Sequence, residues 1–160
     1  MEILDVVDDK NNVIGEATEA DVYAKQLHHR IVHVMIFNDR GEMFLQQRSA
    51  KKNFCPGHWV TSAGGHVLKG ESMMVGANRE LKEELGIDGK LNPVIDYVYD
   101  LKGMKKFTTI FTMHHNGPFN QNPEEVAGGR FFSVNEVRDM VKKNELIHPE
   151  LAVVIGKMYP

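Results

Sequence analysis

Gly65-His66-Val67-Leu68-Lys69-Gly70-Glu71, then seven residues, then Arg79-Glu80-Leu81-Lys82-Glu83-Glu84-Leu85-Gly86-Ile87: the fold of this chain is read from this stretch. Ser72 can cap a helix and Gly86 can end one, so the spacing predicts a helix running from Ser72 to Leu85. At about 3.6 residues per turn, Met74, Ala77, Leu81 and Leu85 form one stripe, expected to face the core. Glu80, Glu83 and Glu84 lie three and four apart on a neighbouring face, and Arg79 is spaced to pair with Glu83. Acidic helix faces are usually solvated surface. Here the Gly64-Gly65 pair also lets backbone approach a ligand closely. Clustered carboxylates suit a hard divalent cation, Mg2+ first and Mn2+ second, which keeps waters and completes its shell with phosphate oxygens.

Outward from the helix, residues 2–7 and 13–17 read as strands around the turn-forming Asp8-Asp9-Lys10-Asn11-Asn12. Residues 18–26 are a short helix or a loop. Ile31 to Phe37 and Met43 to Gln47 are expected to form a hairpin across Asn38-Asp39-Arg40-Gly41. A loop from Ser49 to His58 leads to a short strand, Trp59 to Ser62. Val94 to Leu101 and Lys106 to His114 make a second pair; in the latter only one face, Phe107, Thr109, Phe111 and Met113, is consistently apolar. Residues 130–133 give another strand, Ser133-Val134-Asn135-Glu136 opens a helix through about Asn144, and Pro149 begins a last one. Its apolar stripe is Leu151, Val154, Ile155 and Met158. Strands mixed with three helices predict an α/β fold.

At 160 residues, 42% hydrophobic and 26% charged, the chain is expected to be a single domain, 1–160, with a substantial core. A formal net charge of -3 offers no footprint for duplex nucleic acid. No long apolar run or signal peptide opens the sequence, so no membrane partner and a cytoplasmic location are expected. The single Cys55 fits a reducing compartment.

The run from Gly65 to Ile87 resembles a complete Nudix box, the signature of hydrolases acting on nucleoside diphosphates linked to another group. Gly65, Glu71, Arg79, Glu80, Leu81, Glu83, Glu84, Gly86 and Ile87 fill every required position. Asp5-Val6-Val7-Asp8, Leu27-His28-His29-Arg30, Leu45-Gln46-Gln47-Arg48-Ser49 and Pro56-Gly57-His58-Trp59 are similar to the branch nearest isopentenyl diphosphate isomerase. The resemblance implies an α/β/α sandwich around a mixed sheet and a small-molecule diphosphate substrate, often a nucleotide. It also implies a divalent metal held by Glu83 and Glu84, with Glu80 and the backbone carbonyl of Gly65 beside them. Such a metal would neutralise the diphosphate and activate water. Arg79 is expected to position the glutamates, and Glu71 to fix the loop–helix geometry.

In several relatives the general base lies outside the box. Glu125 is the first candidate here and Glu124 the second; if that segment is only a solvated acidic loop, a box glutamate must activate the water. Isomerases of this branch carry a catalytic Cys immediately before a Gly-His pair, where this chain has Gly64, and Cys55 stands nine residues upstream. An isomerase-like enzyme and a non-catalytic nucleotide-sensing module are the competing readings. His29 and His66 match metal-binding positions of the isomerases. Phe54, Trp59, Tyr97, Tyr99 and Phe107 are candidate stacking partners for a base, although packing is the expected job of Trp59. Substrate identity stays open at this level, and a homodimer pairing through the amino-terminal strands is a further expectation.

Overall fold

The strand His29–Phe37 lies at the centre of the structure because apolar residues occupy both of its faces, as a covered strand requires. In the computed structural model, which describes residues 1–160, the chain runs β1 (Ile3–Val7), β2 (Val13–Thr18), α1 (Glu19–Ala24), β3 (His29–Phe37) and β4 (Met43–Arg48). It continues through β5 (Trp59–Val60), β6 (Ala63–His66), α2 (Met73–Leu85), β7 (Asn92–Leu101), β8 (Met104–His114), β9 (Val126–Phe132), α3 (Val134–Lys143) and α4 (Pro149–Met158). Strands β3 to β9 form one seven-stranded sheet, and β1–β2 form a separate antiparallel ribbon. The large sheet is mixed: β3 and β8 are parallel, and every other pairing is antiparallel.

β3 and β4 were expected as a hairpin, but they pair only at Phe37 and Met43 and then splay apart. Strands β5 and β6 fill the wedge, β5 against β4 and β6 against β3. The Ser62 hydroxyl spans the gap, accepting from the Ile36 N–H at 2.8 Å and donating to the Phe44 carbonyl. The backbone groups freed by the splay are thereby satisfied. The wedge aims Gly64-Gly65-His66 and the following loop at helix α2.

α2 packs on one face, where Val32, Val34, Ile36 and Phe111 meet Ala77, Leu81 and Leu85. α3 and α4 cover the other, where Met35, Leu45 and Ile110 meet Val137, Leu151, Val154 and Ile155. The architecture is the expected α/β/α sandwich around a mixed sheet, with α1 as a fourth helix. Each fully buried Leu on α2 contributes about 1.5–3 kcal/mol of hydrophobic burial. The centre of β8 is apolar on both faces, since Ile110 and Phe111 face opposite layers; the expectation of one apolar face underrated its central position. β9 begins at Val126, earlier than expected, because Gly128-Gly129 weakens the strand signal of that segment.

Candidate active site

Helix α2 starts as its sequence dictates. The Ser72 hydroxyl accepts from the Val75 N–H at 3.1 Å, and Gly86 closes the helix at φ 69°. The inward stripe differs from expectation by one residue. Met73 packs against the core and Met74 is exposed, while Ala77, Leu81 and Leu85 face inward as expected.

Arg79 organises the site. Its guanidinium donates to both oxygens of Glu71 at 2.8 and 3.0 Å, to Glu80 Oε1 at 2.9 Å, to Glu83 Oε2 at 3.2 Å and to the His66 carbonyl at 2.8 Å. Glu71 also accepts from the Leu68 N–H at 2.7 Å, which ties the box loop to the helix. Burial alone would raise the Glu71 pKa, but the hydrogen bonds from Arg79 and Leu68 outweigh it and hold the carboxyl below its usual range. A planar fork with several donors suits this fan of contacts better than a lysine would.

The three helix glutamates do not share one environment. Glu83 is exposed, Glu80 is buried and Glu84 is half-buried. Burial pushes Glu80 up to about 7, against the opposing charge of Arg79. Burial and the Glu80 charge push Glu84 up to about 8, despite a 2.8 Å hydrogen bond from the Gly64 N–H. Two inward carboxylates that resist ionisation are a site that a divalent cation would relieve. The Gly65 backbone is ordinary β-strand, and its lack of a side chain matters for a different reason: a Cβ there would lie 2.6 Å from Glu80 Cδ. The oxygen donor set and this close approach of carboxylate to backbone fit Mg2+ or Mn2+.

Gly64 is equally constrained. A Cβ on it would sit 2.7 Å from the Val32 carbonyl oxygen and 3.0 Å from His33 Nδ1, so this backbone has no room for a cysteine side chain. Cys55 lies in the β4–β5 loop and does not line the central cavity. Glu125 is exposed, immediately before β9, with its carboxylate 3.4 Å from Lys52 Nζ; its charge is among those that raise Glu84. Glu124 is exposed, and its N–H donates to the Asn122 side chain.

His29 and His66, which the resemblance matches to metal-binding positions of the isomerases, lie side by side with ring centroids 5.6 Å apart. Tyr23 completes the triangle, its hydroxyl 2.7 Å from His66 Nε2. Burial holds both imidazoles down at about 4, which keeps them neutral. The Lys106 ammonium sits over the Tyr23 ring at 5.1 Å, and its charge depresses both histidines further. His66 Nδ1, its other ring nitrogen, lies 3.8 Å from Glu2 Oε1 and 4.0 Å from Glu19 Oε1.

A cavity of about 590 Å³ opens from Glu84, Gly64 and Gly65. Beyond them it is lined by Arg48, Phe54, Tyr99, His33, Lys106, His148 and Glu150. Of the aromatic candidates, Phe54 and Tyr99 therefore reach the cavity. Trp59 packs edge-on against Phe132 at 5.0 Å, and Tyr97 packs with it in the same core. Sequence reasoning missed His33, Lys106 and Glu150. His33 Nδ1 is 2.8 Å from the Thr61 hydroxyl and its Nε2 is 3.3 Å from Glu150 Oε1, while Glu150 Oε2 is 3.5 Å from Lys106 Nζ. These contacts join β3, β8 and α4, and no local motif signals them.

The NUDIX domain family matches residues 27–152. An uncharacterized Nudix hydrolase of Yersinia pestis is 33% identical over 129 residues, covering 79% of this chain and 70% of that protein. Isopentenyl-diphosphate Delta-isomerase 2 of Photorhabdus laumondii is 39% identical over 98 residues, 61% of this chain and 55% of that protein. Among solved structures, a protein from Deinococcus radiodurans superposes with a TM-score of 0.88 at 22% identity, covering 99% of this chain and 100% of that one. The Nudix domain of a Shewanella oneidensis protein, complexed with ADP ribose, gives 0.63 at 17% identity, over 89% and 97% of the two chains. Family match, relatives and the Arg79-centred box agree, and the chain belongs to the Nudix hydrolase family.

Proposed function

We propose that the protein is a metal-dependent pyrophosphohydrolase that cleaves the diphosphate linkage of a nucleoside diphosphate-X or related substrate by attack of water. The observation that carries this reading is the Arg79 fan, which holds Glu71, Glu80 and Glu83 while Glu84 lines a substrate-sized cavity. Glu80, Glu83, Glu84 and the Gly65 carbonyl would hold the cation. When bound, it offsets the negative charge of the diphosphate and lowers the pKa of water.

The chain's own residues supply the rest. Arg79 and Glu71 act by position, keeping the Glu80 and Glu83 carboxylates oriented before substrate arrives. Glu125 receives the proton of the attacking water. The water oxygen bonds to one phosphorus, the bridging P–O bond breaks, and the other half departs with its phosphate. Gly64, with no side chain and no space for one, argues against the isomerase reading, which needs a cysteine there.

The test is turnover of nucleoside, sugar, coenzyme and isoprenoid diphosphates with Mg2+, comparing wild type with Glu83→Gln/Glu84→Gln. Metal-dependent phosphate-ester release that disappears in the variant is the expected result. Equal turnover by the variant, or nucleotide binding without turnover of any substrate, would overturn it.

A further inference from the structure

The β1–β2 ribbon precedes residues 27–152, the part of the chain that matches the family, yet it is joined closely to the box loop. Leu68 forms an antiparallel bridge with Leu4 and packs against the small core of Leu4, Val6 and Val22. The Lys69 N–H donates to the Ile3 carbonyl at 2.9 Å, and the Gly70 N–H donates to Asp5 Oδ2 at 3.0 Å. Asp5, an acidic side chain, is only 9% exposed. Its cross-strand partner on β2 is Glu16, and like charges directly opposite each other are unfavourable within a ribbon. The box loop offsets both: the Gly70 N–H meets Asp5, and Lys69 Nζ meets Glu16 at 2.7 Å. Two adjacent loop residues thus complete a charge pattern that the ribbon leaves unbalanced.

We propose that the ribbon is a strap that holds the box loop in the geometry the cation needs, and that Asp5 is its positioning residue. This rests on the proposed hydrolase reading. From Asp5 the contacts run inward without a break. Gly70 is followed in the chain by Glu71, Glu71 takes two hydrogen bonds from Arg79, and Arg79 holds Glu80 and Glu83. The same loop begins at Gly65, whose carbonyl is one of the proposed ligands. Asp5 touches neither cation nor substrate and acts only through this loop. Without it the Gly70 N–H loses its acceptor, and the end of the loop that carries Glu71 is held less firmly. Groups that orient metal ligands are worth about 10–100-fold in metal affinity. Glu2, just before β1, also belongs to this arrangement, since its charge is among those that raise Glu80.

The test is Mg2+ binding by calorimetry at pH 8, together with amide hydrogen exchange of Gly70 by NMR without metal, on the full chain. Asp5→Ala should speed exchange at Gly70 and weaken Mg2+ binding about tenfold, the lower end of what a lost orienting contact costs. Asp5→Asn keeps an acceptor but not its charge; a neutral acceptor bonds about half as strongly, so binding should weaken about threefold. That variant carries the test if Asp5→Ala does not fold. Val7→Ala controls for stability, because Val7 is buried on the same strand and its N–H donates to the His28 carbonyl rather than to the loop. It should lower the unfolding midpoint and leave Mg2+ affinity unchanged. Wild-type affinity in the Asp5 variants, an equal loss in Val7→Ala, or a wild type that binds no Mg2+ would overturn the proposal. Turnover, measured separately, keeps the two readings apart. Mg2+ binding that depends on Asp5 in a protein that hydrolyses no diphosphate would leave the strap standing and remove the hydrolase. Hydrolysis with unaltered Mg2+ dependence in both Asp5 variants would do the reverse.

Discussion

Replacing Arg79 by Ala should damage the fold of the site before it damages chemistry. The guanidinium makes five hydrogen bonds, four to the carboxylates of Glu71, Glu80 and Glu83 and one to the His66 carbonyl. The Glu83 contact contributes little, because that side chain is 57% exposed. Glu71 and Glu80, at 14% and 10%, would be left shielded from water with no counter-charge. Removing one member of a buried pair costs about 3–5 kcal/mol. For a chain of this size about 1 kcal/mol moves Tm by about 2–4 °C, so Arg79→Ala should lower Tm by about 10 °C. The loss should be largest near pH 8, where Glu80, held at about 7, is ionised, and smaller near pH 6, where a proton can replace the missing arginine. Arg79→Lys keeps the charge but cannot span three carboxylates, and should fall between the two. Thermal unfolding followed by circular dichroism, metal-free at both pH values, is the assay. A Tm for Arg79→Ala within about 2 °C of wild type at pH 8 would refute the claim that this residue holds the cluster together.

Mg2+ affinity should rise from pH 6 to pH 8 as Glu80 and Glu84, at about 7 and 8, lose their protons, and binding at pH 7 should release protons. Calorimetry in two buffers of different ionisation enthalpy reads this directly, and a heat independent of buffer would contradict it. His29, His66 and His148, held at about 4 by burial, withhold protons that the unfolded chain binds below about 6.5. Their contribution to stability is complete above that pH and is lost as pH falls towards 4. The raised carboxylates of Glu80 and Glu84 act in the opposite sense, binding protons in the folded state and opposing that loss. Denaturant midpoints of Glu80→Gln/Glu84→Gln should therefore fall more steeply than those of the wild type between pH 6.5 and pH 4.5; parallel slopes would count against these environments. Glu125→Gln should lower kcat about 10²–10⁴-fold with KM little changed, as loss of a general base does, and a change under about threefold would return that role to a box glutamate.

The parts of the molecule that follow from local chemistry were legible in the sequence. Ser72 and Gly86 bound helix α2, the reciprocal capping of Ser133 and Glu136 opens α3, and Pro149 opens α4. Spacing paired Arg79 with Glu83, a contact present at 3.2 Å, and the family resemblance set it among the other glutamates. The parts that failed depend on the tertiary fold. Nothing local says that β3 and β4 part after a single pair, because the reason is the insertion of β5 and β6 between them. Periodicity placed Met74 on the core stripe with Ala77, Leu81 and Leu85; those three are buried, but in the first turn it is Met73 that packs inward. The cavity wall formed by His33, Lys106 and Glu150 was the least legible of all. His33 and Glu150 are 117 positions apart, and Lys106 and Glu150 are 44 apart, so only the packing of α4 beside β3 and β8 brings them together.

The central claim is that the box carboxylates direct water at phosphorus. It is tested most directly by turnover in ¹⁸O-enriched water with Mg2+, reading the phosphate products by mass spectrometry. The expected result is one solvent oxygen in one of the two phosphate-bearing products, absent with Glu83→Gln/Glu84→Gln. An isoprenoid diphosphate converted to its double-bond isomer, with both phosphorus–oxygen linkages intact and no label taken up, would contradict the account.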